Sequence, residues 1–132
     1  MVPVDVIENS LEIILESEPI DILIMVFLIR PLEVEVRSFM EMVGVPTGAP
    51  GAYLEGMLPV LERLKKKSNK EIITVFENRA MTVADVGVEK TSRIMRKAYQ
   101  SQGIPVFSNV ERALRGIRHA VAYTSRHPGR ST

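Results

Sequence analysis

The chain has 132 residues, of which 45% are hydrophobic and 25% charged, with a formal net charge of +1; this is the balance of one globular domain, and it excludes a disordered or fibrous chain. It contains no cysteine, which rules out a disulfide framework, a thiolate metal site and a cysteine nucleophile. The longest apolar run, Ile22 to Ile29, is far shorter than the about 20 residues of a membrane-spanning helix.

In chain order, Val6 to Ser17 reads as a helix, because Ile7, Leu11, Ile14 and Leu15 recur on one face of a 3.6-residue period. Glu8, Glu12 and Glu16 form another face, read as solvated. Asp5 is the expected N-cap, and Pro19 stops the helix by disfavouring helical geometry at Glu18. Ile20 to Ile29 is the first strand; its uninterrupted apolar run is the pattern of a strand covered by helices on both faces. Leu32 to Val43 fits a short helix, and the loop that follows holds Gly44, Pro46, Gly48, Pro50 and Gly51.

Tyr53 to Lys67 is the next helix, with Leu54, Met57, Leu58, Leu61 and Leu64 on its apolar side. Pro59 implies either a kink or a start nearer Leu58. Lys65, Lys66 and Lys67 suit the negative end of the helix dipole and read as a solvated helix end. Glu71 to Glu77 is the second strand, and Asn78 to Val83 a loop. Asp85 to Gln102 is a long helix with Val88, Ile94, Met95, Ala98 and Tyr99 as its core side and Gly103 as its stop. Ile104 to Phe107 is the third strand. Ser108 and Glu111 have the spacing of a capping box. The last helix runs to about Ser125, with Ala113, Leu114, Ile117, Ala120 and Val121 expected inward. Strands alternating with long helices imply right-handed crossovers and a parallel sheet. Three strands make a thin sheet, so either a piece of the domain is missing or another chain covers an edge.

Three segments carry a resemblance. Gly103-Ile104-Pro105-Val106-Phe107-Ser108-Asn109-Val110-Glu111-Arg112-Ala113-Leu114-Arg115-Gly116-Ile117 resembles the "GIPVY, SPERAVRAL" ending of the NDP-forming acyl-CoA synthetases, relatives of succinyl-CoA synthetase. Val2-Pro3-Val4-Asp5 resembles the "NPVDL" that opens the last part of their C-terminal subdomain. Glu18-Pro19-Ile20-Asp21-Ile22-Leu23-Ile24 resembles their "DPxVDAVLVI" strand. The matches come in the family's order. The resemblance implies a three-layer, flavodoxin-like (Rossmann-like) α/β fold over residues 1–126, with 127–132 as a polar tail. It also implies a subdomain of an enzyme that joins a carboxylic acid to CoA at the expense of ATP or GTP. CoA and nucleotide would belong to the full enzyme; for this chain the resemblance implies no cofactor, metal or catalytic residue. Its partners would be other acyl-CoA synthetase subdomains or subunits. Two departures stand out. Asn78-Arg79-Ala80 replaces the family's glycine pair after the second strand, which puts a close backbone approach in doubt. The glycine-rich turn that helps hold the family's phosphohistidine does not precede Val2, so the chain alone is expected to be inactive.

The remaining chemistry is sparse. His119 and His127 read as surface or partly packed histidines, and no histidine joins the glutamate series to make a metal site. No GxGxxG or P-loop pattern occurs. Ligands of parallel sheets sit beyond the carboxyl ends of the strands. That makes Arg30, Asn78, Arg79, Ser108 and Asn109 the candidate ligand-binding residues, with Arg30 and Arg79 poised to meet an anion. Charge is uneven: acids dominate from Asp5 to Glu62, bases from Lys90 onward, including Arg112, Arg115 and Arg118. Such asymmetry marks either an anion-binding surface or faces that attract each other within or between chains. Aromatic residues make up only 5%, which argues against a base-stacking nucleic-acid surface. Asp5 and Glu8 stand where a secretory leader would be basic, so the chain reads as cytoplasmic. A small phospho-ligand binder and a stand-alone association or regulatory module are the alternative functions. The open apolar edge strand and the opposed charges lead to the expectation of a homodimer for the isolated chain.

Overall fold

Helix and strand periods alternate along the sequence, and the elements follow them. The computed structural model describes residues 3–17, 19–29, 41–44, 51–77 and 86–127. They form α1 (Val4–Leu15), β1 (Ile22–Leu28), α2 (Ala52–Ser68), β2 (Glu71–Glu77), α3 (Val86–Ser101), β3 (Val106–Phe107) and α4 (Val110–Arg126). The strands make one parallel sheet in the order β1-β2-β3. Ile22 stands opposite Glu71 and Leu28 opposite Glu77, while Thr74 and Val75 face Val106 and Phe107. This is the three-layer α/β class expected from the sequence.

Successive strand residues point to opposite faces, and this sorts the core into two parts. On one face Phe27, Ile72, Phe76 and Val106 meet Leu11 and Leu15 of α1, Leu54, Met57, Leu61 and Leu64 of α2, and Val88 and Tyr99 of α3. Phe27, Phe76 and Tyr99 pack edge to face, with ring centroids 5.0 to 6.4 Å apart, the arrangement the ring quadrupoles favour. The other face is thinner. Ile73 and Val75 pack on Ala113 of α4, with Ile22, Ile24, Phe107 and Ile117 partly buried around them. Both described crossover helices lie on the first face, as right-handed connections between successive neighbouring strands require; among the described elements α4 alone packs on the second face.

Several local expectations change. α1 starts at Val4 after Pro3, without a side-chain cap, so Asp5 sits in its first turn and does not cap it. Proline suits this boundary, since it brings no amide N–H that needs a partner. Ile14, placed inward by periodicity, is exposed. Glu8 and Glu12 are not a solvated face: Arg63 clasps Glu8 with Nε and Nη2 at 3.1 and 3.0 Å, and Lys67 pairs with Glu12. These pairs tie α1 to α2. Lys65 is also engaged, donating to the Gly103 carbonyl at 2.9 Å and pairing with Glu71 at 3.3 Å. α2 begins at Ala52 and runs through Pro59, so the later start near Leu58 is excluded. In α3 Ile94 faces solvent, and the buried positions are Val88, Thr91, Ser92 and Tyr99. Gly103 ends that helix with φ +78°, and Ile104 N–H returns to Tyr99 O at 3.0 Å. The short helix expected over Leu32 to Val43 lies mostly outside the described residues; of it Glu41 and Met42 are helical.

Candidate functional site

The turn from β3 into α4 is the described part of the carboxyl end of the sheet. There the capping box is replaced by a simpler device. Asn109 has extended backbone (φ −159°) and its Oδ1 accepts from Arg112 N–H at 2.8 Å. Asn109 is therefore the N-cap, one residue later than the serine of the expected box. Glu111 lies in the first turn and pairs with Arg115 at 3.0 Å. Ser108 and Asn109 are thus adjacent at the turn, with the Asn109 side chain committed to the helix. Arg30, Asn78 and Arg79 lie outside the described residues.

The larger feature lies on the second face of the sheet. Periodicity turns Leu114, Ala120 and Val121 of α4 inward; instead Leu114 is 54% and Val121 58% exposed, Ala120 is exposed, and only Ala113 is fully enclosed. The reason is the extent of the sheet beneath. β3 has two residues, so α4 rests on a narrow strip where Gly116 lies against the Phe107 ring. A Cβ at Gly116 would come within 2.8 Å of Phe107 Cζ, a distance real side chains do not adopt. Glycine lets the helix sit this close, and among the described elements none packs over the outer part of β1 on this face. Val26 and Leu28 of β1 are accordingly 42% and 51% exposed, contrary to the expected two-sided burial of the strand.

Between β1 and α4 the two uncovered strips enclose a groove of about 630 Å³, lined among others by Ile22, Ile73, Phe107, Ile117, Val121 and Thr124. Ile24, Val26 and Leu28 share that face of β1 but lie outside the lining of the groove. The outer surface of α4 bears Arg112, Arg115, Arg118 and Arg126, with Glu111 as the one acid. The groove is apolar at its base, and the charged residues that border it, Lys65 and Glu71, pair with each other. Smaller hollows lie elsewhere among the described residues. One of about 430 Å³ is bordered by Glu12, Leu15, Leu64 and Lys67, and the Lys67–Glu12 pair spans it. Another of about 350 Å³ is bordered by Lys65, Lys66, Asn69 and Glu71.

The histidines take no part in a polar cluster among the described residues. His119 is exposed, and His127 stacks on Tyr123 with centroids 4.4 Å apart. Among the described residues no group of three or more His, Cys, Asp or Glu is placed to hold a metal ion, and no helix is long and apolar enough to cross a membrane. The groove escapes a reading of the sequence because periodicity assigns Ala113, Leu114, Ile117, Ala120 and Val121 of α4 alike to the core. The signal that points to it is a count of covers among the described elements: two crossover helices lie on one face, and one helix remains for the other. Comparison of the chain with protein-family models, with curated proteins and with solved structures gives no match.

Proposed function

We propose that this domain is an assembly subdomain of an NDP-forming acyl-CoA synthetase, working in the cytoplasm and contributing an interface to the enzyme. The observation that carries this reading is the uncovered apolar strip of β1 and α4. A domain that leaves aliphatic side chains of a strand and a helix exposed presents a surface suited to another polypeptide. The resemblance adds the kind of assembly, since its best-matching segment, Gly103 to Ile117, runs through β3 and into α4, the wall of that groove. CoA and ATP or GTP would be bound by the partner subdomains. The same groove supports a stand-alone association module as a second reading.

Reconstitution separates the two. The chain is mixed with CoA-binding and nucleotide-grasp subunits of an NDP-forming acyl-CoA synthetase from the same source. Loss of free CoA thiol is then followed with ATP or GTP and a panel of short carboxylic acids. The expected result is no turnover by the chain alone, co-elution with a ligase subunit, and thioester formation that depends on the chain. Turnover by the chain alone, or no co-elution and no dependence, would exclude the ligase reading.

A further inference from the structure

β1 has the composition of an interior strand in the position of an edge strand. Its seven residues, Ile22 to Leu28, are all apolar, and its register with β2 is unbroken. It therefore lacks the charge, proline or bulge that protects natural sheet edges. One of its edges is taken by β2; among the described residues nothing pairs with the other. The hydrogen bonds tell which residues meet that open edge. Glu71 N–H donates to the Asp21 carbonyl at 3.4 Å, and backbone groups alternate in direction along a strand paired in parallel. Leu23, Met25 and Phe27 thus turn their N–H and C=O groups to β2. Ile22, Ile24, Val26 and Leu28 turn theirs to the open edge.

α1 roofs the space beside that edge on the first face. α2 connects β1 to β2 and lies over them. It touches α3 on one side, where the Tyr99 hydroxyl donates to the Leu54 carbonyl, and α1 on the other, through the Arg63–Glu8 and Lys67–Glu12 pairs. α1 packs chiefly on α2. Packed helices stand about 8–10 Å apart and paired strands about 4.8 Å, so α1 is set off from α2 by about two strand spacings and reaches past β1. Ile7 and Ile14 lie across Leu11 from the paired Glu8 and Glu12, on the side of the helix turned to the sheet level beyond β1, and Ile14 is 41% exposed. Handedness agrees. On the first face α2 and α3 carry the chain from β1 to β2 to β3; a right-handed connection that reached β1 through α1 on that face would start from a strand on the far side of β1. We infer that a partner polypeptide completes the sheet by adding one extended, aliphatic strand parallel to β1, beneath α1. The inference rests on the association reading above and names the form of its partner. A second copy does not fit this place: a two-fold axis perpendicular to the sheet pairs β1 with itself antiparallel and brings the second α1 onto the ground that α2 fills.

The probe strand is a short synthetic peptide of alternating valine and threonine with lysines at both ends, titrated into the isotope-labelled full chain and followed by nuclear magnetic resonance. In the free chain the amides of Ile24 and Val26 should exchange with solvent about tenfold or more faster than those of Leu23 and Met25, and bound peptide should slow them. A spin label at the amino end of the peptide should broaden resonances around Ile22, and one at its carboxyl end those around Leu28, as parallel addition requires. N-methylation of alternate peptide residues, and Val26→Pro in the chain, each remove hydrogen bonds at the edge and should weaken binding about fivefold or more. Val26→Thr should bind as the natural chain does. The Val26 N–H does not serve β2, so proline there is compatible with an edge strand; circular dichroism checks that the variant is folded, and the N-methylated peptide makes the same test on the natural chain. Failure of the peptide to bind, antiparallel addition, or binding that neither N-methylation nor proline weakens overturns the inference. So does a natural chain whose Ile24 and Val26 amides are already protected in a concentration-dependent dimer, which assigns the edge to a second copy. Strand addition without co-elution of a ligase subunit removes the ligase reading and leaves this inference standing; co-elution without strand addition does the reverse.

Discussion

Replacing Tyr99 by phenylalanine tests the first core directly. Tyr99 is fully buried, its ring meets Phe27 and Phe76 edge to face, and its hydroxyl donates to the Leu54 carbonyl at 2.6 Å. Tyr99→Phe keeps the ring and removes the hydrogen bond. A buried neutral hydrogen bond contributes about 1 kcal/mol net, and the carbonyl loses a donor that water cannot replace, so the expected cost at neutral pH is about 1–2 kcal/mol. Burial, with the nearby Tyr53 adding to it, pushes the Tyr99 hydroxyl well above its ordinary value of 10.0. Below that ordinary value both the native and the unfolded chain hold the proton, and the contribution is fully present. Above about pH 10 the unfolded chain releases it while the native chain does not, so the natural protein loses about 1.4 kcal/mol per pH unit that the variant keeps. Urea titrations of both proteins should therefore show an advantage of about 1–2 kcal/mol at about pH 8 that shrinks to nearly nothing about one unit above pH 10. A difference that stays constant from about pH 8 to about pH 11.5 would refute the reasoning.

Two further substitutions test how α4 is held. Gly116→Ala drives a methyl group into the Phe107 ring and should destabilise by about 1–3 kcal/mol in urea titration; combining it with Phe107→Leu, which thins the ring away, should recover part of the loss. Asn109→Ala removes the cap from Arg112 N–H and should cost about 1 kcal/mol. Glu111→Gln, which breaks only an exposed pair with Arg115, should cost less than about 0.5 kcal/mol. The opposite order would return the cap to the Ser108–Glu111 box.

The order of elements is legible in the sequence because each apolar segment has a length and period that fit one conformation. Ile22 to Leu28 is too short and too β-branched for a buried helix, and Gly103 sits where α3 must turn. Caps are less legible: Ser108 and Asn109 are both good capping residues, and the choice between them depends on where the backbone leaves β3. The burial of α4 misleads for a different reason. Ala113, Leu114, Ile117, Ala120 and Val121 share one apolar arc, but a helix over a two-residue strand can cover only part of it. The small residues Ala113 and Gly116 mark the part that touches the sheet; the larger Leu114 and Val121 mark the part that does not. Exposure of Ile13 is likewise invisible in a pattern whose other faces account for the packing of α1. Of the candidate ligand residues, Asn109 serves the helix, and Ser108 stands beside it.

The strand order also bears on where any small ligand could sit. In doubly wound sheets the crevice for a nucleotide opens at the point where strand order reverses, because neighbouring crossovers there depart to opposite sides and their loops part. The sequence β1-β2-β3 runs in one direction without reversal, and both crossover helices share one face. The described sheet alone thus has no such parting of loops. It would gain one at β1 if a strand from a second polypeptide joined that edge with its helices on the opposite face. In that arrangement the join between chains, and not the interior of either, would be the place for a ligand to enter.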